Sequence, residues 1–98
     1  MDAELRAQIA RRERVIEELK RILLENLHVA VPADAIDLDA ALFGTGLGLD
    51  SVDALELVIA TEASFRVTFP QETLRGSLRT VNAVVDLVLG LESSKDAA

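Results

Sequence analysis

The sequence contains no cysteine, no tyrosine and no tryptophan, and its only histidine is His28. The absence of cysteine excludes a disulfide framework, a thiolate metal site and a cysteine nucleophile, and it favours a reducing cytoplasm. His28 lies at the predicted end of a helix, where an imidazole is more often favoured by the helix dipole than catalytic. Because no serine has an evident base, the sequence predicts a protein that is not an enzyme and has no catalytic residues.

Long apolar runs and a dense basic surface are also missing. The first twenty residues mix charges throughout, unlike a signal peptide, and no later run approaches the ~20 apolar residues of a membrane-spanning helix. The net charge is −7, whereas nucleic-acid binding depends on a basic surface. We therefore expect a cytoplasmic protein with no membrane span and no nucleic-acid partner.

The charges that are present are unevenly distributed. Six of the ten basic residues lie in the first 21 positions, whereas residues 22–65 contain eight acids and no lysine or arginine. A segment that carries only negative charge can attract a basic partner, but negative charge also keeps a protein soluble. On the charge distribution alone, solubility is the simpler explanation.

Apolar residues recur at helical spacing in three segments. Asp2 and Thr80 are suitable caps for the first and last helices, and Pro70 suits the first position of a short helical turn. The main helices are predicted at residues 2–28, 51–65 and 81–91, and the short one at residues 70–76. The sequence therefore predicts an all-α four-helix bundle with three main helices, one short helix and an extended first helix.

The connection between the first two helices is unusually long. Its apolar residues are expected to pin it to the core, and these are Ile36, Leu38, Leu42 and Phe43. It also contains three acids, Asp34, Asp37 and Asp39. Their spacing does not match a calcium loop, because the required glycine and the closing glutamate are out of place, so we expect no metal site.

The connection ends in the glycine-rich stretch GTGLG at residues 44–48, which is followed by Leu49, Asp50 and Ser51. A phosphate-binding loop is excluded because no strand is predicted before this stretch, the stretch lacks the required lysine, and Asp50 would repel a phosphate. Alternating glycines instead permit a sharp turn that brings Leu47 and Leu49 inward and leaves open space in front of Ser51.

The second predicted helix has two apolar sides. The predicted core side contains Ala54, Leu57, Val58, Thr61 and Phe65. The other side contains Val52, Leu55 and Ile59, flanked by Ser51, Glu56 and Glu62. Two interpretations of this second stripe are about equally favoured: either it is a docking surface rimmed by carboxylates, or the long connection folds over it and hides it.

The stretch LGLDSVDALELVIATEASF, residues 47–65, resembles the region around the modified serine of acyl carrier proteins. In that family a glycine, a small or apolar residue, Asp-Ser and a further apolar residue open an acidic second helix. The resemblance extends from about Val15 to Leu91 and includes LHV, FP and RTVNAVVDLV. It implies a four-helix bundle of acyl-carrier type, with an N-terminal helical extension at residues 1–14, a carrier domain at 15–91 and a disordered tail at 92–98.

The resemblance also implies a function. Ser51, preceded by Asp50, would receive covalent 4′-phosphopantetheine from coenzyme A through a phosphopantetheinyl transferase, and the thiol of this arm would carry acyl groups as thioesters. Partners would then be acyl-transferring or ketosynthase-type enzymes with basic docking patches, and the carrier itself is expected to be a monomer. The positions that match the family's docking residues are Val52, Asp53, Leu55, Glu56, Ile59 and Glu62.

Some positions depart from the usual family pattern. Ala63, Ser64 and Arg66 dilute the acidic end of the second helix, and Gln71 stands where an acid is frequent. These departures favour a polyketide or other specialised lipid pathway over housekeeping fatty acid synthesis, and Leu-Asp before the serine disfavours a peptidyl carrier. The alternative function is an unmodified, carrier-like helical interaction module.

Overall fold

The computed structural model describes residues 2–44, 46–71 and 78–97, with side chains described as far as Ser93. The helices are α1 (Ala3–Glu25), α2 (Ser51–Phe65) and α3 (Val81–Ala97), with a 3₁₀ turn at Ala33–Ala35. The described residues contain no β-strand, only two isolated bridges. The predicted all-α bundle with three main helices is confirmed. Most of the short helical turn predicted at residues 70–76 lies outside the described residues.

Helix α1 begins at the predicted cap and ends before the predicted position. The Asp2 carboxylate accepts a hydrogen bond from the Leu5 N–H at 2.7 Å, which satisfies one of the free amides of the first turn. At the other end His28 adopts a left-handed conformation with φ 56°, and the Val29 N–H donates to the Leu23 carbonyl at 3.0 Å. This turn closes the helix, so α1 stops at Glu25 and not at residue 28.

A single apolar core joins the three helices and the connection, and α1 packs against both α2 and α3. The buried residues include Val15, Leu19, Ile22, Leu23, Ile36, Leu42, Leu49, Leu57, Val81, Val84, Val85 and Val88. Leu57 and Thr61 are buried on α2, and Ala54, Val58 and Phe65 are half-buried, which confirms the predicted core side of this helix.

The connection between α1 and α2 is held against the start of α3 by hydrogen bonds. The Leu42 N–H donates to the Arg79 carbonyl at 2.8 Å, and the Asn82 N–H donates to the Leu38 carbonyl at 3.0 Å. The Asn82 side chain also donates to the Asp39 carboxylate at 2.7 Å. Ile36 and Leu42 are buried, so the prediction that apolar residues pin this connection is confirmed.

The two ends of the chain meet through arginines of α1. Arg12 donates to the Asp86 carboxylate at 2.7 Å and to the Asn82 side-chain oxygen at 2.8 Å, and Arg11 pairs with Glu92 at 3.3 Å. Helix α3 continues past Leu91 to Ala97, and Glu92, which pairs with Arg11, lies in this last part of the helix. The division of the chain at residues 14 and 91 stays a prediction.

Candidate functional site

Ser51 is the first residue of α2, and it is exposed. A reciprocal capping box fixes this position: the Asp53 N–H donates to the Asp50 carboxylate at 2.9 Å, and the Asp50 N–H donates to the Asp53 carboxylate at 3.0 Å. Among the described residues the Ser51 hydroxyl has no hydrogen-bond partner. The hydroxyl is therefore accessible to a separate enzyme, and no base is hydrogen-bonded to it in the part of the chain that the structure describes.

The helix start combines free amides with two carboxylates. The Ala54 N–H donates to the Asp50 carbonyl at 2.9 Å, and Asp50 also occupies the Asp53 N–H. The amides of Ser51 and Val52 precede these bonds, and amides of this kind favour a nearby anion. The carboxylates of Asp50 and Asp53 oppose an anion at the same place. An anionic group on Ser51 would therefore need more than the helix terminus to hold it.

A tight turn that requires glycine precedes helix α2. The Leu47 N–H donates to the Ala41 carbonyl at 2.8 Å, and a Cβ atom at Gly46 would lie 1.8 Å from that same carbonyl oxygen. Only glycine therefore fits at position 46 without moving the backbone. Leu49 is buried after this turn and Leu47 is half-buried, so the prediction that the glycines bring them inward is confirmed.

An open groove of about 680 Å³ lies beside Ser51. Its lining residues are Ala41, Phe43, Leu49, Asp50, Ser51, Ala54, Leu78 and Arg79. The core itself has a separate void of about 10 Å³ between Leu19, Leu42 and Leu57 and their neighbours. This void is about the size of one water molecule, so an acyl chain would enter the core only if the helices moved apart.

The side of α2 that faces away from the core is uncovered. Val52 is 67% exposed, Leu55 61% and Ile59 57%, and Glu56 beside them is also exposed. We refer to these four residues as the outer face of α2. The connection packs elsewhere, against the start of α3, so the interpretation in which it hides this stripe is wrong.

Two of the predicted docking acids have structural roles. Asp53 belongs to the capping box, and the Glu62 carboxylate accepts a hydrogen bond from the Phe69 N–H at 2.7 Å. The sequence did carry a signal for Asp53, because Asp50 and Asp53 have capping-box spacing. The contact of Glu62 depends on the left-handed turn at Arg66, with φ 57°, which periodicity does not reveal. Among the described residues, Glu56 is thus the acid of this set whose carboxylate accepts no backbone hydrogen bond.

Helix α2 is also tied to α1 at its far end. The Glu18 carboxylate accepts hydrogen bonds from Arg21 on its own helix and from the Ser64 hydroxyl of α2. The hydrogen bond from Arg21, followed by that from Ser64, lowers the pKa of Glu18 to about 2. Together with the capping box, this link fixes both ends of α2, and so it fixes the outer face relative to the bundle.

Three further features concern metal binding, membrane insertion and the single histidine. The described residues include no group of three or more His, Cys, Asp or Glu side chains placed to hold a metal ion. Within that same part of the chain, no helix is both long enough and apolar enough to cross a bilayer. His28 is exposed in its left-handed turn.

Arg79 is a groove residue that the sequence did not single out. It is far from Ser51 along the chain, and although it begins the stretch RTVNAVVDLV, that stretch gave it no role at the site. The bridge between Ala41 and Thr80, together with the bond from the Leu42 N–H to the Arg79 carbonyl, brings it to the wall of the groove.

Comparisons with known proteins cover most of the chain. Residues 17–88 match the family model described as "Phosphopantetheine attachment site". The acyl carrier protein of Campylobacter fetus is 35% identical over 78 residues, which cover 80% of this chain and 96% of that protein. The acyl carrier protein of Onion yellows phytoplasma is 38% identical over 71 residues, or 72% of this chain and 88% of that protein.

The acyl carrier protein of Coprothermobacter proteolyticus is 35% identical over 77 residues, which cover 79% of this chain and 89% of that protein. The family model and these relatives imply a covalently attached 4′-phosphopantetheine group. Proteins of this kind carry acyl groups for partner enzymes and are carriers rather than catalysts. Because the family model spans more than half of the chain and the relatives are matched over most of their length, the chain belongs to the acyl carrier protein family.

Proposed function

We propose that Ser51 is the residue to which a phosphopantetheinyl transferase attaches 4′-phosphopantetheine from coenzyme A. The observation that carries this proposal is the exposed hydroxyl at the first position of α2, in the wall of an open groove. The residues fit such a group: the hydroxyl is free to form a phosphoester, helix amides lie beside it, and the groove is large enough for a flexible chain. When attached, the group supplies the thiol that carries an acyl chain as a thioester.

The chemistry of attachment requires little from this chain. The Ser51 oxygen forms a bond to the phosphorus nearer the pantetheine and loses its proton, while the P–O bond of the coenzyme A pyrophosphate breaks and adenosine 3′,5′-bisphosphate leaves. Asp50 and Asp53 each accept a hydrogen bond within the capping box, and among the described residues neither carboxylate is hydrogen-bonded to the Ser51 hydroxyl. We therefore assign the base for this proton to the transferase. The role of this chain is to hold the hydroxyl exposed at a fixed helix start.

The same proposal assigns the outer face of α2 to partner enzymes. Val52, Leu55 and Ile59 give an apolar stripe on a small domain, and Glu56 adds an exposed negative charge. Residues 22–65 contain no lysine or arginine, so a partner with a basic patch meets charge of one sign. Complementarity of this kind raises the rate of association more than the final affinity.

The cargo pathway is the finer part of the proposal. We assign the chain to acyl transfer in fatty-acid, polyketide or related specialised lipid metabolism in the cytoplasm, with acyl-transferring or ketosynthase-type enzymes as partners. The specialised pathway is favoured because the end of α2 is less acidic than usual: Ala63 is exposed, and Ser64 is bonded to Glu18. Thus the docking charge lies near the start of the helix, at Glu56.

The site of attachment is tested by mapping the modified residue. The apo chain is incubated with coenzyme A and a broad-specificity transferase, and the modified peptide is then fragmented in a mass spectrometer. We expect the added group on Ser51 and none on Ser64, which is an exposed serine of the same helix. A group found on any other residue would refute the assignment.

The docking surface is tested by reversing one charge. Glu56→Lys removes an attraction and creates a repulsion, so it should slow phosphopantetheine transfer by about two- to thirty-fold at low salt and flatten the salt dependence. Glu17→Lys makes the same change on the exposed surface of α1 and is the matched control. Equal rates for the two variants would show that the charge of α2 has no part in docking.

A further inference from the structure

We propose that Arg79 is the counter-charge of the phosphodiester at Ser51 and directs the arm along the groove beside it. The inference rests on the proposed function, in which Ser51 carries the group. It concerns a residue to which the sequence gave no role at this site, and it explains how the start of α2 can accommodate an anion between two carboxylates.

The first support is the position of Arg79. Arg79 and Ser51 line the same groove, and Arg79 is the only cation among its lining residues in the described part of the chain. Its backbone is fixed, because its carbonyl accepts from the Leu42 N–H at 2.8 Å and the preceding residue, Leu78, is buried. Its side chain is exposed and has no ion-pair or hydrogen-bond partner among the described residues. The backbone of Arg79 is therefore fixed in the wall of the groove that Ser51 also lines, and its guanidinium is uncommitted within the described part of the chain.

The second support is charge. Asp50 and Asp53 place two carboxylates at the helix start, and a phosphodiester on Ser51 would add a third negative charge. Residues 22–65 contain no lysine or arginine, so α2 and the connection before it cannot offset this repulsion. A guanidinium is well suited to the task, since its donors match two oxygens of one phosphate.

The third support is the shape of the groove. The phosphodiester is the part of the arm bonded directly to Ser51, so it is the part within reach of other groove residues. Beyond it the lining is mainly apolar, with Phe43, Leu49, Ala54 and Leu78. The groove is about 680 Å³, whereas the void in the core is about 10 Å³. With the core closed, an arm held by Arg79 lies in the groove instead of extending into solvent.

The experiment compares apo and phosphopantetheinylated protein by backbone-amide NMR, so its readout does not depend on acyl transfer. In the wild-type chain, attachment should shift the amides of Phe43, Leu49 and Leu78. Arg79→Gln should lower the fraction of the arm that is bound in the groove, and the chemical shift changes should fall with it. The expected decrease is about two- to five-fold, which corresponds to the loss of one exposed ion pair. Added salt should have the same effect on the wild type.

Two further variants separate a specific contact from a change of net charge. Arg79→Lys keeps the charge without the two-pronged geometry, so it should retain part of the shifts. Arg6→Gln removes one positive charge from the exposed start of α1 and should retain all of them. Spectra of the apo variants should show unchanged core signals, because both altered side chains are exposed.

The outcomes distinguish this inference from the function on which it rests. If Ser51 is not modified, both fail. If Ser51 is modified but the groove amides shift equally in the wild type and Arg79→Gln, the assignment of Arg79 is overturned and the proposed function stands. If Arg6→Gln reduces the shifts as much as Arg79→Gln, net charge alone accounts for the effect and Arg79 is not the counter-charge.

Discussion

Leu55 and Leu57 lie on the same helix, but they should respond to truncation in opposite ways. Leu57 is 1% exposed, and Leu57→Ala should destabilise the domain by about 2–5 kcal/mol, since it removes core contacts and leaves a cavity. For a domain of this length that corresponds to a loss of roughly 10–30 °C in Tm. Full burial of a leucine side chain stabilises a fold by ~1.5–3 kcal/mol, but Leu55 is 61% exposed, so it contributes less than half of that value. Leu55→Ala should cost at most about 1 kcal/mol.

The assay pairs thermal unfolding, followed by circular dichroism, with the rate of phosphopantetheine transfer well below the Tm of both variants. Leu55→Ala should keep a Tm near that of the wild type and be modified more slowly, because it removes part of the outer face of α2. Leu57→Ala should unfold at a lower temperature and still be modified at close to the wild-type rate. If Leu55→Ala is as unstable as Leu57→Ala, or is modified at the full rate, the outer face is not a docking surface.

Three further predictions concern the frame that holds this face. Gly46→Ala should lower the free energy of unfolding in urea by about 1–3 kcal/mol, because the added Cβ would clash with the Ala41 carbonyl. Gly90→Ala is the control: this position in α3 has open space around it, so the substitution should raise the free energy of unfolding by ~0.5–1 kcal/mol. Equal effects of the two substitutions would contradict this reasoning. The pKa of Glu18 is lowered from the ordinary 4.5 of a glutamate to about 2, so its ionised carboxylate favours the folded state above pH 4.5. Glu18→Gln should therefore be less stable at neutral pH by at most about 1 kcal/mol, and the difference should vanish as pH falls from 4.5 towards about 2; a difference that grows on acidification would refute the link. Thr61 is fully buried, and its hydroxyl has no hydrogen-bond partner among the described residues. Thr61→Val should therefore raise the free energy of unfolding in urea by about 1 kcal/mol. A decrease would contradict this reasoning, because it would mean that the hydroxyl makes a hydrogen bond.

The helices were predictable because their signals are local. Asp2 and Thr80 each cap a helix as expected: the Thr80 hydroxyl, for example, accepts from the Ala83 N–H at 3.0 Å. Apolar spacing also identified the buried side of α2. The end of α1 was placed too late because Leu27 continues the apolar spacing although the backbone has already turned at His28.

Whether the second apolar stripe of α2 is covered or exposed could not be predicted from local signals. Periodicity shows that Val52, Leu55 and Ile59 share a side, but it does not show what covers them. That depends on the path of the connection, which is set by long-range bonds such as the one from the Leu42 N–H to the Arg79 carbonyl. The same bond brings Arg79 to the groove, so its position could not be read from the sequence either.

The acids of the proposed docking surface illustrate a further limit. The pattern gave Asp53, Glu56 and Glu62 the same role, since all three flank the apolar stripe. Asp53 and Glu62 accept backbone hydrogen bonds, at 3.0 Å from the Asp50 N–H and 2.7 Å from the Phe69 N–H. Spacing alone could not rank these acids, because whether a carboxylate is free depends on the amides that the fold brings to it.

The most direct test of the central claim is the intact mass of the chain after incubation with coenzyme A and a broad-specificity phosphopantetheinyl transferase. The wild type should gain the mass of one 4′-phosphopantetheine group, and Ser51→Ala should gain none while its circular dichroism stays helical. The claim is contradicted if Ser51→Ala gains the same mass. It is equally contradicted if the wild type gains none, a result that would favour an unmodified helical interaction module.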